Sequence, residues 1–190
     1  MSIIKINIPP FIGVEFSAED IEGFRKQLKE TATGLFKAKD FVGCYHIIAK
    51  HSGKALDVDS FSKEDCANIF QYELHGGDNQ IWILVKAKDG YYYFFAKHSG
   101  KCLDVESYKQ DNGANVWQHS FHGGDNQQWK LKETENGYFY ILARHSGKAL
   151  DVQDYSQANG ANVFQYELHR GDNQKWKLQQ IGRASCRERV

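Results

Sequence analysis

The sequence has no excess of charge of either sign. Its 24 lysine and arginine residues are balanced by 24 aspartate and glutamate residues, and the two kinds are interspersed along the chain. A protein that binds nucleic acid or an anionic membrane through charge carries a basic patch or stripe. Because this sequence has neither, we expect no nucleic-acid partner and no electrostatic attachment to a membrane.

Long apolar runs are also missing. None approaches the roughly 20 residues that a membrane-spanning helix needs. The N-terminal stretch from Met1 to Pro10 has Lys5 among its apolar residues and no small-residue cleavage site, so it is not typical of a signal peptide. We therefore expect the protein either to stay in the cytoplasm or to be secreted by a non-classical route.

The cysteines show no disulfide pattern. The four cysteines occupy places that are not equivalent within the repeat described below, or lie outside it: Cys44, Cys66, Cys102 and Cys186. A repeated disulfide would put cysteine pairs at repeated positions, so we expect free thiols rather than a disulfide framework.

The sequence contains one residue motif that is repeated three times. The first copy starts at His51-Ser-Gly-Lys-Ala-Leu-Asp-Val58 and closes at Asn79-Gln-Ile-Trp82. The other copies start at His98 and His145 and close at Trp129 and Trp176, so that equivalent residues are always 47 positions apart. A fixed period without drift indicates one supersecondary unit used three times.

Each copy has the pattern of four short strands. In the first copy these are residues 45–50, 55–58, 69–74 and 80–85, separated by Ser-, Gly- and Asp-containing turns. Three copies give twelve strands, and closing them into one body removes sheet edges. We therefore predict an all-β protein, a β-trefoil of three four-stranded repeats. A three-bladed propeller is the poorer alternative, since blades usually number at least about four.

Repeated apolar residues predict the core of this body. The tryptophan that closes each copy and the leucine of each second strand should converge there: Trp82, Trp129, Trp176, Leu56, Leu103 and Leu150.

Residues 1–40 lie outside the repeat and form an expected N-terminal extension. Ser17 to Asp20 resembles a capping box, and Ile21, Phe24 and Leu28 follow at helical spacing, which predicts an amphipathic helix over about 18–33. Its single apolar stripe packs against the repeat body or, alternatively, against a partner such as the second chain of a homodimer.

The remaining boundaries follow from the repeat. We expect the trefoil at 41–180, with repeats at about 44–90, 91–137 and 138–180. The last ten residues, 181–190, match nothing in the repeat and look like the translation of a common sequencing-library adapter. We expect them to be an artefact, with the natural chain free to continue past Gln180.

The combination Gly-Lys-x-Leu-Asp-Val, Gly-Ala-Asn-Val and Gly-Asp-Asn-Gln-x-Trp resembles the ricin B-chain-like (R-type) β-trefoil lectin family, which is characterised by Gln-x-Trp repeats. The resemblance covers residues 45 to about 178. It implies a fold that binds sugars, often galactose or N-acetylgalactosamine and in xylanase-linked members xylan, with one shallow site in each repeat.

The resemblance also implies which residues would contact sugar. An aspartate would accept hydrogen bonds from two adjacent hydroxyls, an aromatic ring would stack on the pyranose, and an asparagine amide would donate to a hydroxyl; a histidine matches some xylan-binding members. In the second repeat His119 stands in the aromatic position, with Trp117 two residues earlier, which puts that site in question. The implied sugar-binding residues are Asp57, Tyr72, His75, Asn79, Asp104, His119, His122, Asn126, Asp151, Tyr166, His169 and Asn173.

Each of these assignments has a purely structural alternative. The aspartates could cap the loop that follows them, and the tyrosines could pack at the barrel edge. The glutamines Gln80, Gln127 and Gln174 are expected to bond within the repeat, and the histidines His51, His98 and His145 to lie in turns or at a rim. Arg170 stands where the other copies have a glycine, Gly76 and Gly123, so the edge of the candidate sugar site in the third repeat should differ from the other two.

The repeats do not favour an enzyme. A glycosidase needs two carboxylates flanking one bond, yet each repeat supplies one such aspartate, and no phosphate loop or nucleophile motif is present. No cofactor is expected, nor a metal site, because no two histidines share a ligand-like spacing with a cysteine.

Three functions remain open from the sequence. The first is a multivalent lectin for galactose- or N-acetylgalactosamine-type glycans on cell-surface glycoconjugates. The second is the targeting module of a larger toxin or glycoside-active enzyme, and the third is a protein-binding trefoil without sugar activity.

Overall fold

The computed structural model describes residues 3–6, 14–17 and 41–182. Two short strands precede the repeats, β1 (Ile3–Ile6) and β2 (Val14–Ser17), and they pair antiparallel in a sheet of their own. The sequence pattern did not predict this pair. The predicted helix over 18–33 lies outside the described residues.

The repeats supply twelve further strands, four in each, as the sequence predicts. The first repeat has β3 (Gly43–Ala49), β4 (Ala55–Val58), β5 (Ala67–Tyr72) and β6 (Trp82–Lys86). The second has β7 (Tyr92–Ala96), β8 (Cys102–Val105), β9 (Ala114–His119) and β10 (Trp129–Glu133). The third has β11 (Tyr138–Ala143), β12 (Ala149–Val152), β13 (Ala161–Tyr166) and β14 (Trp176–Gln180).

The helical segments in the described part of the chain are single 3₁₀ turns between strands. They are Asp59–Phe61, Asp78–Gln80, Lys88–Gly90, Glu106–Tyr108, Asp125–Gln127, Glu135–Gly137, Gln153–Tyr155 and Asp172–Gln174. Within that part, no helix has the length and apolar character of a membrane span.

Six strands close a barrel in the order β3–β6–β7–β10–β11–β14 and back to β3. The closing pair joins the ends of the repeat region, with Ile47 opposite Leu178 and Tyr45 opposite Gln180. Strands of neighbouring repeats therefore share one sheet, which separate propeller blades would not do, and the six-strand ring has no free edge.

The other six strands form three hairpins that cover one end of the barrel. β4 pairs with β5, β8 with β9 and β12 with β13, and the three outer strands β5, β9 and β13 also pair with one another. At the centre of this cap, Asn68 donates to Asn162, Asn162 to Asn115 and Asn115 to Asn68, at 2.9, 3.1 and 2.9 Å. This ring of amides ties the three repeats together around their common axis.

The turn that joins β3 to β4 shows how the Ser-Gly pair specifies the hairpin. Gly53 has a left-handed φ of 70°, a conformation that glycine adopts without steric cost. The Ser52 hydroxyl accepts from the Lys54 N–H at 3.2 Å and donates to Gln71 Oε1 on β5 at 2.7 Å. The same bonds recur in the other two repeats.

The predicted core residues are fully buried and belong to one apolar cluster. Each tryptophan indole N–H donates to the carbonyl of the leucine in the same repeat, at 3.0 Å for Trp82, 3.0 Å for Trp129 and 2.9 Å for Trp176. The polar edge of each ring is thereby satisfied, which allows the rest of it to be buried.

The prediction of free thiols holds for the exposed Cys66 and the buried Cys102. It is wrong for Cys44, which is disulfide-bonded. This bond lies outside the repeat symmetry, because the corresponding positions of the other repeats, Tyr91 and Tyr138, are not cysteines.

Replacing Trp129 by alanine should lower the free energy of unfolding by about 3–5 kcal/mol, because it leaves a large cavity and an unpartnered Leu103 carbonyl. The control is Lys132→Ala on the exposed side of the same strand, for which we expect less than about 0.5 kcal/mol. Urea denaturation of the full chain measures both. A Trp129→Ala protein as stable as the control would contradict this description of the core.

Candidate functional site

The site of the first repeat is built around the carboxylate of Asp57, on β4. All four residues of this strand are buried, and the Asp57 side chain is only 3% exposed. Its Oδ1 accepts from Asn79 Nδ2 at 2.6 Å, and its Oδ2 accepts from Gln80 Nε2 at 2.7 Å and from His75 Nε2 at 3.2 Å. The donors are side chains rather than loop amides, so the alternative role as a loop cap does not describe Asp57.

Burial raises the pKa of the Asp57 carboxyl above its ordinary value, because removing a carboxylate from water disfavours the charged form. Hydrogen bonds from Gln80, His75 and Asn79 act in the opposite direction. Burial likewise raises the pKa values of Asp104 and Asp151 against opposing hydrogen bonds. Each repeat therefore holds one carboxylate whose charge depends on the donors gathered around it.

Asn79 presents an acceptor, not the donor that the sequence predicts. Its Nδ2 group uses both hydrogens inside the repeat, on Asp57 Oδ1 and on the Val58 carbonyl at 3.1 Å. Its Oδ1 is buried and has no hydrogen-bond partner among residues 41–182. A buried acceptor without a partner is uncommon in folded proteins.

The hydrogen bonds of the His75 ring determine which of its two nitrogens carries the proton. The ring Nδ1 accepts from the Gly77 N–H at 3.1 Å, so Nε2 carries the proton that is donated to Asp57. His75 is 36% exposed and connects the buried carboxylate with the surface.

Two aromatic rings flank His75 at the surface. The predicted Tyr72 is 36% exposed, and its ring centroid lies 6.1 Å from that of His75. Sequence reasoning missed Phe61, which is 51% exposed and also 6.1 Å from His75. The available signal was the recurrence of an aromatic residue four positions after each aspartate, at Phe61, Tyr108 and Tyr155.

These missed aromatic residues occupy strained backbone. Phe61, Tyr108 and Tyr155 have left-handed φ values of 52°, 56° and 54°. A bulky residue in this conformation costs roughly 1–3 kcal/mol and tends to occur at functional sites. Each ring lies over the histidine of its own site and meets edge-on a histidine of another repeat, at 5.9–6.1 Å: His98, His145 and His51.

Three side chains of the site pack closely around Gly77. A Cβ added there would lie 2.6 Å from the Phe61 ring, 2.7 Å from Asn79 Oδ1 and 2.7 Å from His75 Cε1. In the other repeats, the aromatic, asparagine and histidine side chains crowd Gly124 and Gly171 in the same way. The absence of a side chain here permits the ring, the amide oxygen and the imidazole to meet.

The third repeat reproduces the first. Asp151 accepts from Asn173 at 2.7 Å, from Gln174 at 2.8 Å and from His169 at 3.0 Å. The Asn173 Oδ1 is again without a partner in the described part, and the Tyr166 ring lies 6.0 Å from that of His169. Arg170 is exposed beside this site, with a left-handed φ of 65°.

The second repeat differs at the carboxylate. Asp104 Oδ1 accepts from Asn126 at 3.0 Å and also from the indole Nε1 of Trp117 at 3.0 Å, and Oδ2 accepts from His122 at 3.1 Å. The Gln127 amide donates to the Ser120 carbonyl at 3.0 Å. The corresponding residues of the other repeats, Phe70 and Phe164, have no side-chain N–H to donate.

The same repeat gathers three potential metal ligands. One ligand atom from each of Asp104, His119 and His122 lies within 4.8 Å of the other two. The first and third repeats have Tyr72 and Tyr166 in place of His119. The sequence did not predict this group, because no two histidines share a ligand-like spacing with a cysteine and the three residues meet only in the folded repeat.

The glutamines and the remaining histidines are structural, as the sequence indicates. Gln80 is fully buried, and its Oε1 accepts from the His75 and Gly76 N–H groups at 2.9 and 3.3 Å, which shapes the loop of the site. His51 Nε2 donates to the Ser156 carbonyl at 3.0 Å and thereby joins two repeats. His98 and His145 make the same bond to Ser62 and Lys109.

A closed barrel of three like repeats, each with a buried carboxylate beneath exposed rings, is a scaffold for repeated surface binding sites. The chain belongs to the ricin-type beta-trefoil lectin domain-like family, whose model matches residues 35–119, 95–166 and 125–187. No curated protein matches the chain significantly.

Solved structures agree with this assignment. A designed threefold-symmetric protein, ThreeFoil, is 55% identical, with a TM-score of 0.72 over 73% of this chain and 99% of that one. An exo-β-1,3-galactanase from Clostridium thermocellum, 1,3Gal43A, is 35% identical, with a TM-score of 0.72 over 76% of this chain and 31% of that one. The Rhizoctonia solani agglutinin is 26% identical, with a TM-score of 0.69 over 77% and 100%.

Replacing Gly77 by alanine should displace the Phe61 ring or the Asn79 amide and lower the free energy of unfolding by about 1–3 kcal/mol. The side-chain amide signals of Asn79 should shift in NMR spectra. Gly90→Ala is the control for the amide signals, because a Cβ there meets open space and its left-handed φ of 78° affects only the local backbone. Unchanged Asn79 signals in Gly77→Ala would show that the site is not packed as described.

Proposed function

We propose that this protein is a multivalent carbohydrate-binding lectin for galactose- or N-acetylgalactosamine-type glycans, with its sugar sites in the trefoil at residues 41–180. Membership of the family implies carbohydrate binding. The observation that carries the proposal is the gathering, in the first and third repeats, of a buried aspartate, a buried asparagine oxygen without a partner and a tyrosine that is exposed in the first repeat and half-buried in the third.

Hydrogen-bond counting supports a ligand with hydroxyl donors. A carboxylate has about four lone-pair positions, and Asp57 uses three of them on Asn79, Gln80 and His75. One remains, together with the lone pairs of Asn79 Oδ1. Two adjacent sugar hydroxyls would satisfy both acceptors, and hydrogen bonds to an ionised carboxylate contribute about 1.5–3 kcal/mol each.

The aromatic rings supply the second kind of contact that a sugar needs. A pyranose has one face rich in C–H groups, which packs on a flat ring. Tyr72 is the platform that we assign in the first repeat and Tyr166 in the third. Phe61 and Tyr155 lie next to the histidines of their sites, with ring centroids 6.1 and 6.4 Å away, and would contact the ring substituents or the next sugar of a chain.

The second repeat is the weakest sugar site in this proposal. Trp117 and Asn126 both donate to Asp104 Oδ1, so this oxygen has no lone pair left for a sugar hydroxyl, whereas Asp57 Oδ1 accepts only from Asn79. His119 also provides a smaller and more polar platform than tyrosine. Two full sites would still allow cross-linking of cell-surface glycoconjugates, with avidity beyond the affinity of one site.

A second candidate function is that of a targeting module within a larger protein. The 35% identical galactanase favours it, because the region similar to this chain spans only 31% of that enzyme. That enzyme is an exo-β-1,3-galactanase, and a galactan is a polymer of galactose, which agrees with a galactose-type ligand. Both candidates place sugar binding at the same residues.

The test of sugar binding is a glycan array followed by calorimetry of the full chain with methyl galactoside, N-acetylgalactosamine and xylobiose. The triple variant Asp57→Ala, Asp104→Ala, Asp151→Ala should lose binding by at least about tenfold, since each change removes a charge-assisted acceptor. Asp104→Ala alone should leave most of the galactoside binding unchanged.

The double variant Tyr72→Ala, Tyr166→Ala controls for unfolding, because both side chains reach the surface; it should keep the melting temperature of the parent and lose binding. Undiminished binding in the triple variant would refute the site assignment. A folded parent that gives no heat with any of these sugars at millimolar concentration would favour a protein-binding trefoil.

A further inference from the structure

The second repeat has His119 where the first and third repeats have Tyr72 and Tyr166. We propose that Asp104, His119 and His122 form a binding site for a divalent transition-metal ion of the Zn²⁺ class. One ligand atom from each residue lies within 4.8 Å of the other two. Two imidazoles and one carboxylate are a ligand set that Zn²⁺, Ni²⁺ and Cu²⁺ accept.

Asp104 and His122 are already placed as neighbouring ligands. Asp104 Oδ2 lies 3.1 Å from His122 Nε2. Two ligands of a tetrahedral Zn²⁺ ion, at bond lengths of about 2.0–2.1 Å, are separated by about 3.3 Å. A metal ion would therefore occupy the place of the proton that the two groups now share, with little movement of either side chain.

His119 supplies the third ligand, and its hydrogen bond to the Ser120 carbonyl favours the tautomer that ligation needs. Its Nδ1 lies 3.2 Å from the Ser120 carbonyl and, because a carbonyl only accepts, this nitrogen carries the proton. The lone pair is then on Nε2. A ligating histidine usually donates its other N–H to a carbonyl or carboxylate in this manner.

Trp117 and Asn126 hold the carboxylate in place. Both donate to Asp104 Oδ1 at 3.0 Å, which leaves Oδ2 as the oxygen that faces His122. The Asp104 side chain is 3% exposed, whereas that of His122 is 40% exposed. The ion would thus have a fixed, buried ligand beneath it, an open path from solvent, and a fourth position for water.

Binding requires a change of tautomer at His122 and an approach of the three ligand atoms from within 4.8 Å to about 3.3 Å of one another. Its Nδ1 now accepts from the Gly124 N–H at 3.2 Å, so the ring proton is on Nε2. If a metal ion took Nε2, the ring would keep one proton on Nδ1. That N–H would face the Gly124 N–H, so the hydrogen bond would be lost and the ring or the loop would turn aside. The loss of one long, neutral hydrogen bond is small beside the free energy of metal ligation.

The other repeats provide internal controls. They contain the same aspartate–histidine pair, at 3.2 Å in the first repeat and 3.0 Å in the third, with a tyrosine in the place of His119. Two ligands and a neutral phenol form a much poorer site. His119 is therefore the residue that sets the second repeat apart as a metal site.

Calorimetric titration of the full, untagged chain with Zn²⁺ tests this, in a Cys66→Ser background that removes the exposed thiol. We expect one equivalent bound, and tetrahedral absorption bands with Co²⁺. His119→Tyr, which copies the other repeats and should fold, should lower the affinity by at least about tenfold. Tyr72→His should add a second equivalent, since it gives the first repeat the same three ligands.

Undiminished Zn²⁺ binding in His119→Tyr, or no binding by the parent at millimolar Zn²⁺, would overturn the proposal. So would a Tyr72→His variant that gains no equivalent. Equal melting temperatures of parent and variants in metal-free buffer would exclude misfolding as the cause of a loss. None of these measurements depends on sugar binding.

Discussion

The structure depends on one repeated interaction, a buried aspartate held by side-chain donors from a single downstream loop. Asp57 alone would be costly to bury, because an unpaired carboxylate loses its hydration. Asn79 and Gln80 follow it by 22 and 23 residues and provide the hydrogen bonds that replace this water. The carboxylate in turn fixes the loop that presents His75 and Gly77, so one set of bonds both stabilises the repeat and shapes its surface.

The same loop is attached to the core. Two residues after Gln80, Trp82 enters the barrel and donates to the carbonyl of Leu56, the residue that precedes Asp57. The histidine at the start of each copy joins the repeats, because its Nε2 donates to a carbonyl of another repeat. The surface sites therefore rest on the barrel and on the repeat contacts, as binding residues on a rigid scaffold do.

Much of this was predictable because the sequence repeats. The repeat period and the alternation of apolar residues predicted the twelve strands and the tryptophan core. The boundary of the fourth strand of the first repeat was wrong: it begins at Trp82 rather than at residue 80, because Asp78–Gln80 forms a 3₁₀ turn. The direction of the Asn79 amide was not predictable, because it depends on the position of the Val58 carbonyl in space. Phe61 was overlooked within a polar loop, and the Trp117 bond to Asp104 follows from a cross-strand register that no sequence pattern specifies.

The central proposal is that the free lone pairs on Oδ1 of Asp57 and Asp151 bind hydroxyls, whereas Oδ1 of Asp104 is filled by Trp117 and Asn126. Its most direct test is an NMR titration of the full chain with methyl β-galactoside that follows the side-chain amide signals of Asn79, Asn126 and Asn173. The account predicts saturable shifts for Asn79 and Asn173 and little change for Asn126. Equal shifts of all three, or shifts confined to residues outside these sites, would contradict it.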